Sequence, residues 1–384
     1  MPPAPSLPPL RLGLVGYGGF GRFLHRTWGA VPGVEVVAVA SQHERPEGGG
    51  VRVYDDWRPL VSDEGVDLVA VVTPPATHAE IAAAAMEAGR HVLVEKPIAT
   101  TLEDARRLVE VRDRTGRVAA VDFMLRFNPV VEALVAWGRP ARGAPPFGRL
   151  RRAVVENHAQ DEALAPGHWF WDPAQSGGIL VEHAVHFIDL VGACTPARPA
   201  RVDGWAHARS PRQEDRVLAT VAYDDGLVAT HHHSFTRPAF FERTQIRLWF
   251  DLAEVEIDGW VPLEGRVRAL VRPETEAALG ALPHFRESAR RPVPGRDGAP
   301  TRRLHVGGQA FEAADEVEGL FTVGVPKPEA YAGALRAMLD DVRRAIADPA
   351  HHVRVPLETG AQALALALAA VEDGRATHAP PRPA

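Results

Sequence analysis

A glycine-rich turn between an apolar strand and a helix constrains the fold of this chain more than any other feature. Residues 11–15 are predicted to form a strand, Gly16-Tyr17-Gly18-Gly19-Phe20-Gly21 follows, and a helix comes next. The turn satisfies G-x-G-x-x-G, a pattern that is weak alone but strong inside a strand-helix-strand unit. Gly16 would make the tight turn, Gly18 would admit a pyrophosphate, and Gly21 would let the helix pack closely. The turn therefore predicts a dinucleotide site at a helix N-terminus.

Further alternation of strands and helices follows in the first third of the chain. Apolar segments at 34–40, 67–72, 91–97 and 118–123 are separated by helical patterns or turns. Near-continuous apolar strands between helices are typical of a parallel, doubly wound sheet. In the usual strand order, the first and fourth strands are neighbours and their carboxyl ends frame the ligand crevice. Because the fourth predicted strand ends in Glu95-Lys96-Pro97, we expect Lys96 beside the nicotinamide end of a dinucleotide.

Lysine is scarce in this sequence, since Lys96 and Lys327 are the only two. Pro97 keeps the backbone of Lys96 out of the helical region. An ammonium group at this strand exit could hydrogen-bond a substrate oxygen or lower the pKa of a neighbouring acid. The alternative is an ordinary surface lysine at the end of a strand.

A second unusual segment is GGILVEHAVHFIDLVG, at 177–192. On a helix, Glu182, His186 and Asp189 would share one narrow stripe, with His183 beside it. The other side chains are apolar, so the element is predicted to be nearly buried. Two interpretations remain open: an amphipathic helix with a narrow solvent-exposed face, or a carboxylate and an imidazole directed into a cleft.

Bulk properties exclude several classes of protein. The chain has 384 residues, a formal net charge of −6 and a single cysteine, Cys194. The charge argues against a general nucleic-acid or acidic-membrane binder. One cysteine excludes an intramolecular disulfide and a cysteine-rich zinc site, and it fits a reducing compartment. Without a predicted signal peptide or an apolar run of roughly 20 residues, we expect a cytoplasmic location.

Two domains are predicted, flanked by short disordered tails at 1–9 and 377–384. The nucleotide-binding domain spans 10–125, and a second domain spans 126–376. Within the second domain, 200–260 has the alternation of strands, 264–310 gives no clear period and is expected to be an insertion-like loop region, and two helices close the domain.

Three consecutive histidines in the second domain, His231, His232 and His233, invite a metal interpretation. Strand alternation puts the first and third on one face, but no carboxylate or cysteine stands at ligand spacing in the same segment. A sheet-face or subunit-contact role is therefore the expectation, and no metal is predicted.

The residues after the second strand bear on the choice of cofactor. An Asp or Glu that binds the ribose 2′-hydroxyl usually stands at this position. Here the sequence is Ser41-Gln42-His43-Glu44-Arg45. A hydroxyl with nearby bases would tolerate a 2′-phosphate, although Glu44 opposes it. We expect a weak preference for NADP over NAD.

Taken in order, the glycine turn, Thr73-Pro74, His78, Glu95-Lys96-Pro97 and GGILVEHAVH make the chain resemble the Gfo/Idh/MocA oxidoreductases. The resemblance implies an N-terminal Rossmann domain and a C-terminal α/β domain with a large, mostly antiparallel open sheet. It also implies hydride transfer between NAD(P) and a sugar, polyol or inositol-like substrate. This chain has Glu182 where most members carry Asp, so the reach of that acid is changed.

The resemblance also assigns roles to individual residues. His186 would be the general base, Lys96 would orient and polarise the reacting oxygen, and Glu182 would position the substrate or tune His186. The implied cofactor contacts are Gly16, Tyr17, Gly18, Gly19, Phe20, Gly21, Thr73, Pro74, His78, Glu95 and Lys96, and the position after the second strand adds Ser41, His43 and Arg45. The implied substrate contacts are Arg126, Asn157 and His158. Two further candidates come from the residues themselves: Trp169, with Trp171, would form a sugar-stacking wall or pack under its loop, and His183, an extra imidazole, would face the substrate or cap the cleft.

Assembly as a homodimer or homotetramer through the C-terminal sheet is also implied, with no nucleic-acid or membrane partner. Two other functions remain open. Some relatives cleave glycosides through transient oxidation and elimination, and others sense a ligand without catalysis. Retention of Lys96 and His186 argues against the sensing role.

Overall fold

The fold is described from a computed structural model over residues 9–47, 49–295 and 299–377, with side chains to residue 374. Most of both predicted tails lies outside these residues. Contacts divide the chain into two compact units. Unit 1 contains the chain up to Arg126, together with Gly167–His186 and Ala332–Ala365. Unit 2 contains Phe127–Pro166, Phe187–Tyr331 and the chain from Leu366.

Strands and helices are numbered separately in chain order. The strands are β1 (Leu10–Val15), β2 (Val34–Ala40), β3 (Arg52–Tyr54), β4 (Leu68–Val71), β5 (His91–Glu95), β6 (Ala119–Asp122), β7 (Leu150–Gln160), β8 (Pro199–Ser210), β9 (Gln213–Tyr223), β10 (Val228–Arg237), β11 (Arg243–Phe250), β12 (Ala253–Asp258), β13 (Glu264–Val271), β14 (Arg286–Pro292), β15 (Arg302–Val306), β16 (Gln309–Ala313) and β17 (Asp315–Thr322). The helices are α1 (Gly19–Gly29), α2 (Trp57–Ser62), α3 (His78–Glu87), α4 (Leu102–Thr115), α5 (Pro129–Gly138), α6 (Pro173–Ser176), α7 (Val185–Ala193), α8 (Pro273–Gly280), α9 (Lys327–Ala347) and α10 (Leu357–Thr377). None of the described helices is both long enough and apolar enough to cross a bilayer.

Unit 1 is built on a six-stranded parallel sheet with the order β3-β2-β1-β4-β5-β6. Its central strands are almost wholly buried because their side chains are apolar on both faces. The helices α1, α3 and α4 connect successive strands, as expected of crossover units in a parallel sheet. The predicted doubly wound sheet is therefore confirmed.

One detail of the predicted strand order is wrong. The sequence did not reveal β3 or α2, so β5 was expected to lie directly beside β1. In the structure β4 lies between β1 and β5. β3 was missed because it is only three residues long and Val53 is its only aliphatic residue. The strand that ends in Glu95 is therefore one strand further from the glycine turn than expected.

Unit 1 extends beyond the nucleotide-binding segment 10–125. The indole Nε1 of Trp28 donates to the carbonyl oxygen of Leu335 at 3.1 Å, and the backbone N–H of Val121 donates to Val355 at 3.1 Å. These bonds join parts of the chain more than 200 residues apart. A linear division of the sequence cannot detect such pairings.

Unit 2 is built on a nine-stranded sheet with the order β14-β17-β13-β12-β11-β7-β10-β9-β8. Only the β7–β10 pair is parallel among these described strands, and the other neighbours are antiparallel. In β9 and β11, buried residues alternate with half-buried ones, so one face is covered and the other is partly open. The predicted large, mostly antiparallel sheet is confirmed.

The expectation that 264–310 is an insertion-like loop region is wrong. These residues contain β13, α8, β14, β15 and the first two residues of β16. The strands escaped detection because charged side chains occupy many positions that a soluble strand usually gives to apolar residues. The charged side chains of β14 form ion pairs with residues of the neighbouring strand β17: Arg291 with Glu318 at 2.7 Å, and Arg290 with Asp315 at 2.8 Å.

The second unusual segment is helical, but not uniformly so. Gly177 and Gly178 have positive φ angles of 82° and 89°, and a π-helical turn at Leu180–Ala184 follows and runs into α7. Such turns are rare and frequently occur at functional sites. Glu182 and His183 lie on this turn, and His186 is the second residue of α7.

Candidate active site

The glycine turn has the shape that a dinucleotide requires. Gly16 has φ +98°, and a Cβ atom there would lie 2.2 Å from the carbonyl oxygen of Val72. A Cβ at Gly21 would lie 2.3 Å from the carbonyl oxygen of Gly16, whereas one at Gly18 would meet no atom within 4 Å. The turn is thus tight on the protein side and open at Gly18. Because α1 begins at Gly19, its first backbone N–H groups can donate hydrogen bonds to phosphate oxygens. These residues therefore fit a dinucleotide.

Polar side chains surround the end of β2. The hydroxyl of Ser41 accepts from the backbone N–H of Glu44 at 3.2 Å, and Arg45 forms an ion pair with Asp55. Arg22 on α1 pairs with Glu44 at 2.9 Å. Sequence reasoning missed Arg22, although its place directly after the last motif glycine was a usable signal. Both arginines in this region are therefore paired with a carboxylate.

His78 holds two loops together. Its ring is 1% exposed, with Nδ1 2.7 Å from the carbonyl oxygen of Pro97 and Nε2 2.7 Å from that of Thr73. Burial lowers the pKa of His78. The ring ties the loop after β4, which contains Pro74, to the turn after β5. Both nitrogens are engaged by the protein, so the geometry favours positioning over direct contact with a cofactor.

Lys96 is held in a largely buried ion pair. Its Nζ donates to the backbone oxygen of Glu182 at 2.7 Å and to Oε1 of the same residue at 2.5 Å. The two side chains are only 14% and 13% exposed. Lys96 is therefore not an ordinary surface lysine, and the π-helical turn brings Glu182 to it.

The site holds its carboxylate charged and its imidazoles neutral. Burial raises the pKa of Glu182, but the charge of Lys96 and neighbouring groups outweigh it, so the net pKa is lowered. Burial lowers the pKa of His183 to about 4. Burial, reinforced by the charge of Lys96, lowers the pKa of His186 well below its ordinary value. The His186 ring is 8% exposed and meets Phe123 edge-on at 5.9 Å between ring centroids. At neutral pH both imidazoles can accept a proton.

The remaining predicted contacts in unit 1 differ in exposure. Trp169 is half-buried in a short 3₁₀ helix, whereas Trp171 is buried. Glu95 packs against Asp122. The backbone oxygen of Arg126 accepts from the Arg354 guanidinium at 2.8 Å. Of Trp169 and Trp171, only Trp169 leaves part of its ring exposed for a ligand to stack on.

Asn157 and His158 lie on opposite faces of the unit 2 sheet. They are consecutive residues of β7, so their side chains point to opposite faces of the sheet. The Asn157 amide donates to the hydroxyl of Thr244 at 2.7 Å on the covered face. On the other face, His158 lies 3.1 Å from the hydroxyl of Ser234, and its ring is tilted against that of His232 with 5.2 Å between the ring centroids. Contact of either residue with a substrate stays a prediction.

The histidine triplet lies on β10, as alternation predicted. His231 and His233 are fully buried, with parallel rings 6.5 Å apart. Burial lowers the pKa of His231 to about 4. Over the described ranges, no group of three or more His, Cys, Asp or Glu residues is arranged to hold a metal ion.

Comparison with known proteins agrees with this architecture. Residues 10–123 match the family described as "Oxidoreductase family, NAD-binding Rossmann fold", and residues 146–251 match the "GFO/IDH/MocA C-terminal domain". Together the two matches cover more than half of the chain. The chain belongs to the Gfo/Idh/MocA family of oxidoreductases. The resemblance inferred from the sequence motifs is confirmed, and with it the assignment to an enzyme family with an NAD-binding Rossmann domain.

Individual relatives share only part of their sequence with this chain. A 1,5-anhydro-D-fructose reductase from Ensifer adhaerens is 33% identical over 46% of this chain, which spans about half, 53%, of that protein's length. An inositol 2-dehydrogenase from Rubrobacter xylanophilus is 28% identical over 71% of this chain and 86% of its own length. A crystal structure of an oxidoreductase domain protein from Kribbella flavida superposes with a TM-score of 0.74 at 19% identity, covering 97% of this chain and 98% of its own. That structural likeness supports the fold.

Proposed function

We propose that this chain is an NAD(P)-dependent oxidoreductase that transfers hydride between nicotinamide and a hydroxyl or carbonyl carbon of a sugar, polyol or inositol-like substrate. The observation that carries the proposal is the buried Lys96–Glu182 pair, with the neutral rings of His183 and His186, in the same compact unit as the glycine turn. The names of the two relatives support the substrate class, since both denote redox chemistry on polyhydroxylated compounds.

One of the N–H donors of the Lys96 ammonium remains for a substrate. An ammonium group carries three N–H donors, and two of them are directed at Glu182. The third can bind the oxygen on the reacting carbon and polarise it. Glu182 fixes the direction of the ammonium and balances its charge. A bound nicotinamide would supply the hydride acceptor or donor.

His186 is the proposed general base. In alcohol oxidation, hydride leaves the carbon while the hydroxyl proton passes to an imidazole nitrogen, and reduction reverses both transfers. A neutral imidazole is required for the oxidation, and the lowered pKa of His186 supplies it at neutral pH. His183, with a pKa of about 4, is also neutral and can accept a hydrogen bond from a second substrate hydroxyl.

The weak preference for NADP is also a proposal. Ser41 leaves the end of β2 without the carboxylate that would repel a 2′-phosphate, and Arg22 and Arg45 supply positive charge. Glu44 and Asp55 offset part of that charge. Replacing both arginines by alanine is expected to weaken NADP binding by about tenfold or more while changing NAD binding much less. Calorimetric titration with each cofactor tests this, and equal losses for both would contradict it.

For assembly, we infer that two copies associate through the open face of the unit 2 sheet. This face has half-buried positions along β9, β10 and β11, and Trp205 on β8 is 37% exposed. Light scattering is expected to report a dimer or tetramer, and Trp205→Glu should shift it toward the monomer. The exposed Phe240, mutated to Glu, is the control. A monomeric wild-type protein would refute the inference.

The function is tested by a screen of polyols, aldoses and inositols with both cofactors, followed by absorbance of reduced nicotinamide. At least one compound is expected to give turnover, and Lys96→Ala and His186→Asn should abolish most of it while retaining cofactor affinity. Release of free sugar from a glycoside without reduced cofactor would instead indicate a glycosidase. Binding without turnover for every compound would indicate a ligand sensor.

A further inference from the structure

A pair of carboxyl groups lies beneath the Lys96 turn. Glu95 and Asp122 are partners in register at the ends of the parallel strands β5 and β6, so their side chains lie side by side on the same face. Asp122 is 2% exposed, and its Oδ2 atom and Oε1 of Glu95 are both inaccessible to solvent. The two carboxyl groups are close enough for each to influence the pKa of the other.

No hydrogen-bond donor in the described part of the chain satisfies those two oxygens. Oδ1 of Asp122 accepts from the backbone N–H of Met124 at 3.1 Å, but Oδ2 of Asp122 and Oε1 of Glu95 have no N–H or O–H partner among the described residues. Two ionised carboxylates side by side and out of water would repel each other strongly. A carboxyl–carboxylate hydrogen bond removes this repulsion with a single proton.

We propose that Glu95 and Asp122 share one proton at neutral pH, and that the resulting carboxyl–carboxylate hydrogen bond positions the Lys96 turn for the reaction. This deepens the proposed function and rests on it for the role of Lys96, whereas the shared proton itself does not depend on that function. Both members are positioning residues.

The electrostatic surroundings are consistent with one retained proton. Burial, reinforced by the neighbouring Asp122, raises the pKa of Glu95 well above its ordinary value, and burial also raises the pKa of Asp122. The ammonium of Lys96 opposes both shifts, but Glu182 already balances its charge. The other titratable groups facing Lys96 are His78, His183 and His186, and burial lowers the pKa of each.

The shared proton predicts a specific response to alkali. When the proton is lost, the two carboxylates repel and the bond that aligns the turn breaks, so activity falls at high pH. Asp122→Asn keeps a hydrogen bond without a titratable proton, because its amide can donate to the Glu95 carboxylate. Asp122→Ala removes the bond altogether.

The experiment compares these two variants with the wild type and with Glu110→Gln, an exposed carboxylate on α4 that serves as control. Infrared spectra at neutral pH are expected to show a protonated carboxyl band that is lost in Asp122→Asn and kept in Glu110→Gln. Asp122→Ala should lose about tenfold in kcat/KM, whereas Asp122→Asn should lose less and show no alkaline fall.

Two results would overturn the proposal: no protonated carboxyl band in the wild type, or identical pH profiles in Asp122→Asn and the wild type. The infrared band needs neither substrate nor turnover. Its presence in a protein that turns over no screened compound would uphold the shared proton while refuting the proposed oxidoreductase function.

Discussion

Lys96→Met should expose the energetic cost of an unbalanced charge in the candidate active site. The substitution keeps most of the side-chain volume but removes the partner of Glu182, whose side chain is only 13% exposed. Removing one member of a buried ion pair costs about 3–5 kcal/mol, because the remaining charge has lost both water and its partner. Denaturant unfolding should therefore show a loss of about 3 kcal/mol in the free energy of unfolding.

A double variant distinguishes lost charge balance from lost packing. Lys96→Met combined with Glu182→Gln leaves no unpaired charge and should recover most of the lost stability. Arg58→Met is the control, because Arg58 and its partners Asp56 and Glu80 are 61%, 53% and 59% exposed, and such surface pairs contribute less than about 1 kcal/mol. If Lys96→Met is no more destabilising than Arg58→Met, the pair does not have the energetic role assigned to it.

The same variant should reverse a pH dependence. In the wild type, the lowered pKa of Glu182 means that this group stabilises the fold above its ordinary pKa and that the stabilisation is lost as the pH falls. Without Lys96, burial dominates and the pKa of Glu182 rises above its ordinary value. In Lys96→Met the contribution of Glu182 should therefore favour folding at low pH and oppose it as the pH rises. Unfolding measured at several pH values checks the sign.

Three further predictions address other parts of the chain. Gly16→Ala should lower the free energy of unfolding by about 1–3 kcal/mol even without cofactor, since φ is +98° and the new Cβ would meet the oxygen of Val72. Gly18→Ala should fold normally, because a Cβ there meets no protein atom, but bind NAD(P) more weakly. His231, whose pKa falls from 6.5 to about 4 on burial, should make wild-type stability decline as the pH drops from about 6.5 toward 4, and His231→Leu should flatten that decline in denaturation curves. Arg290→Ala removes ion pairs to Glu276, Glu287 and Asp315, so amide exchange should accelerate in β14 but not in β1.

Local signals in the sequence were enough to predict the nucleotide-binding half. β1, α1 and β2 were predicted almost to the residue, because an apolar strand, a glycine turn and a helix are encoded within about 30 neighbouring positions. The family motifs around Lys96 and His186 carried the functional assignment in the same way. Strand alternation also placed His231 and His233 on one face of β10.

Features that depend on distant pairings could not be predicted. The strands between 264 and 310 are stabilised by ion pairs across the sheet, such as Arg266 with Glu256. Without knowledge of the partner strand, the sequence of such a charged strand resembles that of a loop. The placement of Glu95 beside Asp122 depends on the register of β5 against β6. The π-helical turn at Leu180–Ala184 was not anticipated, because its side-chain pattern is compatible with an α-helix.

Transfer of deuterium from substrate to cofactor tests the central claim most directly. A compound that turns over in the screen would be prepared with deuterium on the reacting carbon, and the reduced nicotinamide would be examined by NMR. We expect one deuterium to reach the nicotinamide ring as deuteride in the wild type, and we expect His186→Asn to transfer far less at the same cofactor occupancy. Product formation without deuterium in the cofactor, or undiminished transfer in His186→Asn, would contradict the account.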